Sequence, residues 1–168
     1  VARFNVTSPQ QPSGAFGGNL ATMLTNFLSE VNCFRVLAQV SNMSDLQGEI
    51  NQSKSGNSDK RTRIDPKMVA ANYVVTGEVT RYEVASKSSK IMGVGNKKNT
   101  ASLGIIIQVV DPKTRDILAT RSFSADKETS GGTSFGIHGF DFSNTTDQNP
   151  ALQMAAEDVI KQAVIFLA

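Results

Sequence analysis

Apolar and polar positions change period several times along the chain. Val1-Ala2-Arg3-Phe4-Asn5-Val6 alternates, as a strand with one buried face does. Residues 7–18 are rich in Ser, Pro, Gln and Gly and predict a loop. From Leu20 the period becomes 3.6. Leu20, Met23, Leu24, Phe27, Leu28 and Val31 share one helix face, with Asn19 as the expected N-cap. Cys33 to Val40 alternates again and reads as a second strand. Ser44 then offers a cap for a short helix carrying Leu46 and Ile50, with Met43 as a staple and Gly48 as a weakness.

A polar connector covers 51–64, and Asp65-Pro66 opens a short helical turn through Ala71. Tyr73 to Val84 alternates. Leu103 to Val110 is almost continuously apolar, which predicts a strand buried on both faces. Residues 111–116 form a turn, and Ile117 to Ala125 reads as the antiparallel partner. The last helix is the clearest element. Asn149-Pro150 supplies cap and first position, and Leu152, Ala155, Ala156, Val159, Ile160, Ala163, Phe166 and Leu167 make one stripe. Two main helices and about five interspersed strands predict an α/β fold. Its expected form is a two-layer sandwich of a mixed, largely antiparallel sheet with two extruded hairpin insertions.

Composition then narrows the chemistry. The 168 residues suit one domain, 1–168, with a single core. Hydrophobic residues at 39% and charged residues at 19% fit a globular chain. A net charge of +2 gives no reason to expect a nucleic-acid partner. A single cysteine, Cys33, rules out an internal disulfide and a Cys-x-x-Cys zinc site. Cys33 lies too far along the chain to carry a lipid anchor and is expected to be buried. A single histidine, His138, excludes His-rich metal sites. No nucleophile elbow or paired-carboxylate motif is visible, so neither an enzyme nor a cofactor or metal site is expected. The chain opens at Val1 inside a strand, so an N-terminal segment with the protein's address is expected to precede it.

Two segments exceed what a core needs. Residues 85–100 carry Lys87, Lys90, Lys97 and Lys98 with no acid, and read as a basic hairpin whose apolar residues are Ile91, Met92 and Val94. Gly93-Val94-Gly95 lacks the third glycine and opening helix of a nucleotide loop. In 130–148, Phe135 and Ile137 alternate with small residues, as do Phe140 and Phe142, and the parity flips at His138-Gly139. That pattern fits either an ordinary hairpin with its aromatics against the core or the strand pair of a membrane barrel. Lys54, Lys60, Arg61, Arg63 and Lys67 concentrate charge in and beside the connector. They read as a solvated loop or as a basic patch for an acidic partner or lipid head group.

Several segments resemble one family. Ala70-Ala71-Asn72-Tyr73-Val74-Val75-Thr76-Gly77-Glu78-Val79-Thr80-Arg81-Tyr82-Glu83 is similar to a signature strand of the curli secretion channel family, the CsgG-like outer-membrane lipoproteins. Val109-Val110-Asp111-Pro112-Lys113-Thr114-Arg115-Asp116-Ile117-Leu118 resembles that family's hairpin, with Arg115 in place of a turn glycine. Helix Leu20–Leu28 and the segment from Asn149-Pro150 to Leu167 match in place and pattern, so the resemblance spans nearly the whole chain.

The resemblance implies a periplasmic domain at the bacterial outer membrane, tethered by an N-terminal lipidated cysteine not present in this chain. It also implies homo-oligomeric rings in which two β-hairpins per protomer, here 85–100 and 130–148, line a shared barrel that exports a protein subunit. The loop 7–18 then narrows the channel, with Gln10, Gln11 and Phe16 as constriction candidates. Under an alternative reading the protein is a pore-less periplasmic adaptor that regulates an envelope partner, similar to the lipoprotein activators of penicillin-binding proteins. The lysines and arginines at 54–67 and 87–98 are then its docking surface.

Overall fold

The computed structural model describes residues 4–7, 15–37, 43–54, 70–91, 94–130 and 149–168. Seven elements follow in order: β1 (Phe4–Val6), α1 (Phe16–Glu30), α2 (Met43–Lys54), β2 (Val74–Ile91), β3 (Val94–Val110), β4 (Ile117–Ser130) and α3 (Pro150–Leu167). The strands form one sheet in the order β1-β2-β3-β4, with β1 parallel to β2 and the other pairings antiparallel. The expected α/β class and the mixed, largely antiparallel sheet are therefore observed. The described residues contain four strands, against about five expected, and three helices, of which α2 is the short helix expected from Ser44.

α1 and α3 pack on each other and on one face of the sheet, and a single apolar cluster fills the space between. Leu20, Met23 and Leu24 of α1 meet Val79, Leu103, Ile105 and Ile107 of the sheet and Leu152, Val159 and Ile160 of α3, all almost fully buried. Each such side chain contributes about 1.5–3 kcal/mol by leaving water. Phe4 locks β1 into this layer. Its ring lies on Gly77, where any Cβ would sit 2.3 Å from the ring, and its carbonyl oxygen lies 2.2 Å from where a Cβ of Gly17 would be. Two glycines thus permit strand and helix to close on one phenylalanine.

α1 begins at Phe16, not at Leu20, and its cap is Ala15 with no side-chain hydrogen bond; Asn19 lies inside the helix. Phe16 is four residues ahead of Leu20 on the same face and packs edge-on against Tyr82, with ring centroids 5.3 Å apart. That packing holds a first turn containing two glycines, which local propensity alone disfavours. The helix ends at Asn32 (φ 56°), whose side-chain amide donates to the Glu30 carbonyl at 3.2 Å. Asn tolerates this left-handed conformation better than most residues. Residues 33–37 then run as turn and loop, so the strand expected from Cys33 is not formed there; 38–40 lie outside the described residues. Ser44 lies inside α2, which starts at Met43 and runs on to Lys54. The turn expected at Asp65-Pro66 lies outside the described residues.

β2 carries a bulge at Thr80, between the pairs Val79↔Ile105 and Arg81↔Gly104. The extra residue switches the core-facing parity from Val75, Gly77 and Val79 to Tyr82 and Val84. β3 is covered on one face only: Leu103, Ile105 and Ile107 are fully buried, whereas Ile106, Gln108 and Val110 on the other face stay partly exposed. This corrects the expectation of burial on both faces. The outer face is polar and held by Arg81, which pairs with Glu83 at 3.1 Å and Asp126 at 3.7 Å, while the Ser102 hydroxyl donates to Asp126. Glu83 holds the Arg81 guanidinium above its ordinary pKa.

The turn between β3 and β4 forms as expected. The Arg115 amide donates to the Asp111 carbonyl at 2.8 Å, and Arg115 adopts φ 67° where glycine is the unstrained choice. α3 also begins as expected, with the Asn149 side chain accepting from the Ala151 amide at 2.9 Å and Pro150 in the first turn.

Candidate functional site

The β2–β3 hairpin does not interrupt the sheet pattern at 85–100; it continues it. Pairing runs from Ala85↔Thr100 through Lys87↔Lys98 to Ile91↔Val94, so both strands extend well past the ends expected for them. The core stops where apolar cross-strand pairs give way to Ser86 and Asn99, and the Ser86 hydroxyl donates to the Asn99 side-chain oxygen at 2.6 Å. The helical layer stops at the same level, since Asn149 at the head of α3 reaches the Thr100 carbonyl at 3.5 Å. β4 ends opposite Lys98, at Ser130. Beyond it, among the described residues, the hairpin is a two-stranded pairing over Ser88↔Lys97, Ser89↔Asn96, Lys90↔Gly95 and Ile91↔Val94. At about 3.3 Å per residue this bare part rises roughly 13 Å.

Strand alternation sorts the described side chains into two rows, Ala85/Thr100 and Lys87/Lys98 in one and Ser86/Asn99 in the other. A membrane-spanning strand needs apolar residues at alternate positions along about 9–11 residues, and the sequence of 85–100 has no such run. Like charges stand directly opposite at Lys87↔Lys98, a pairing that is unfavourable unless something compensates. For Lys98 the compensation is Glu128 of β4, at 2.7 Å. Lys87 is exposed and makes no ion pair among the described residues.

The other predicted site residues are distributed as follows. Ile91 and Val94 are register partners, and Met92 lies outside the described residues, as do Phe135, Ile137, Phe140, Phe142 and His138. Gln10 and Gln11 also lie outside. Phe16 is a core residue with 0% exposure, which corrects its assignment to a channel constriction. Of the basic patch, Lys87, Lys90, Lys97 and Lys98 share the hairpin. Lys54 ends α2, and Lys60, Arg61, Arg63 and Lys67 lie outside.

The opposite end of the sheet holds a feature the sequence did not announce. A cleft of about 610 Å³ opens among Leu28, Cys33, Phe34, Arg35, Tyr73 and Leu118. Cys33 is an exposed thiol, contrary to the expected burial. Phe34, Tyr73, Ile117 and Leu118 are all exposed at this end. They come from three separate segments, so no single stretch of sequence carries the signal. Among the described residues no group of His, Cys, Asp and Glu is placed to hold a metal ion. No described helix is long and apolar enough to cross a membrane.

The family described as curli production assembly/transport component CsgG matches residues 2–168. Among solved structures the chain is similar to the hypothetical protein CT253 of Chlamydia trachomatis, with 13% identity, coverage of 98% of this chain and 92% of that one, and a TM-score of 0.51. At that identity the likeness shows the fold alone. PelC of Paraburkholderia phytofirmans, described as a dodecamer, is 12% identical over 96% of this chain and 81% of its own, with a TM-score of 0.44. The lipoprotein GNA1162 of Neisseria meningitidis is 17% identical over 80% and 83%, with a TM-score of 0.41. No curated protein sequence matches the chain.

Proposed function

We propose that this chain, which belongs to the CsgG family of curli production assembly/transport components, works at the bacterial outer membrane as a lipid-anchored, ring-forming channel for export of a protein subunit. The reading is non-enzymatic and uses no cofactor. The observation that carries it, in a chain of this family, is the β2–β3 hairpin. It stays paired to Ile91↔Val94, past the end of the helical layer, in the place where the resemblance expects an extruded hairpin. In such a channel Phe135, Ile137, Phe140 and Phe142 of the second expected hairpin are the aromatic and apolar positions that suit a lipid-facing row.

The test is the mass of the full-length protein, with its native N-terminus, extracted in detergent and measured by light scattering. A large discrete oligomer is expected. Replacing Phe140 and Phe142 with Asp should then cut export about tenfold while the fold is kept. A monomer or dimer, or unchanged export, counts against a channel.

The polar rows of the hairpin favour a second reading, a pore-less periplasmic adaptor. Under it the lysines at 87–98 meet an envelope partner, and charge reversal there weakens partner binding while conductance plays no part.

A further inference from the structure

We infer that the cleft at the opposite end of the sheet from the Ile91↔Val94 pair binds one single-chain anionic amphiphile of the fatty-acid class, with its carboxylate on Arg35 and its alkyl chain along the open end of the core. The core opens at that end. Leu28 of α1, the register partners Val75 and Val109, and Leu167 at the end of α3 all line the cleft. Val75 and Leu167 pack on the core cluster while staying partly exposed, so an alkyl chain laid on them lengthens the core. The rim adds the exposed Phe34, Tyr73 and Leu118. Single exposed apolar residues are ordinary, but three around one concavity mark a binding surface. The volume of about 610 Å³ lies within the roughly 300–1,000 Å³ of small-molecule sites.

Charge selects the head group. Among the described lining residues Arg35 is the one charged side chain, and no acid joins it in the lining. It is exposed and makes no ion pair among the described residues. A guanidinium presents a planar fork of donors that matches a carboxylate. A peptide fits less well, because each of its residues brings an N–H and a C=O that need partners. Arg35, Asn72, Tyr73 and Cys33 are the described polar side chains that could meet them. A sugar or a nucleotide fits less well for the same reason, whereas an alkyl chain brings no polar group beyond its head. The inference goes beyond the channel reading and does not rest on it.

Calorimetric titration of the 168-residue chain with sodium dodecanoate tests it, below the micelle threshold and at about pH 7.5, where the carboxylate is ionised. One site is expected, with affinity rising about fourfold for each CH₂ added from octanoate to dodecanoate. Arg35→Glu should weaken dodecanoate at least about tenfold and turn the site toward dodecyltrimethylammonium, which the wild type binds more weakly. Leu118→Gln should weaken dodecanoate about fivefold. Both residues are exposed, so neither variant should move the melting temperature. Cys33 is the single cysteine and lines the cleft. Dodecanoate at about ten times its Kd should therefore slow the reaction of Cys33 with N-ethylmaleimide about tenfold. No binding, affinity independent of chain length, full binding by Arg35→Glu, or saturation without protection of Cys33 overturns the inference. So does a dimer that protects Cys33 with no dodecanoate present, since a second copy then fills the cleft. Oligomer mass in detergent and export, which test the channel, are read separately.

Discussion

β2 and β3 are one pair of strands with two unlike halves. From Val74↔Val110 to Val84↔Ala101 they put Val79, Tyr82, Leu103, Ile105 and Ile107 under α1 and α3; from Ala85↔Thr100 to Ile91↔Val94 the paired residues are mostly Ser, Asn, Thr and Lys. The backbone ladder is common to both, so hydrogen bonding does not distinguish them. Side chains do, and the change occurs within two residues, at Ser86 and Asn99. A strand pair anchored by a core at one end can thus carry polar pairs well beyond it, whereas an isolated hairpin of the same residues is marginal in water.

The comparison predicts very unequal sensitivity to truncation. Leu103→Ala, in the covered half, should cost about 2–5 kcal/mol in urea unfolding, through lost burial and the cavity left behind. Lys87→Ala, in the polar half at the edge of the bare part, should cost less than about 0.5 kcal/mol. Similar losses at both positions would mean that the bare half packs against something outside the described residues.

A smaller effect probes how the covered half is closed at its edge. Gly77→Ala puts a Cβ 2.3 Å from the Phe4 ring, so the ring must leave its place on β2. Overpacking of this kind costs about 1–3 kcal/mol. Amide exchange should rise first in β1, because its pairing to β2 spans only Phe4↔Gly77 to Val6↔Val79. No equivalent change in the bare half should move β1.

What was legible in the sequence follows from the same division. α3 was readable because its cap, its proline and its 3.6-residue stripe all agree locally, and the β3–β4 turn was readable from its polar residues. The start of α1 was hidden by Gly17 and Gly18, although Phe16 extends the stripe four residues upstream; its contact with Tyr82 is tertiary. The bulge at Thr80 is hidden because alternation is regular on each side of it and only the cross-strand register reveals the shift. The bare half gave no strand signal, since polar residues in both rows erase the period of two. The cleft at the far end brings together Phe34, Tyr73 and Leu118 from distant segments, a proximity that only the folded chain creates.

The smallest prediction concerns the boundary between the halves, where Lys127 of β4 meets Asp158 of α3 at 2.8 Å. The hydrogen bond from Lys127 holds the Asp158 carboxyl below the usual carboxylate range; burial opposes this, and Gln162 and Lys161 add to it. A carboxyl with a depressed folded pKa takes up its proton first in the unfolded chain. Its stabilisation is therefore complete above the ordinary value and is lost as pH falls through the folded one. Both side chains are about a third or more exposed, 32% and 42%, so solvent screens the pair. Asp158→Asn should cost no more than about 1 kcal/mol at neutral pH. The difference from wild type should persist at about pH 6 and shrink as pH falls through the folded value. A difference that survived at the acidic end would show that the amide disturbs the packing of α3 on β4, and that the boundary is held by shape rather than charge.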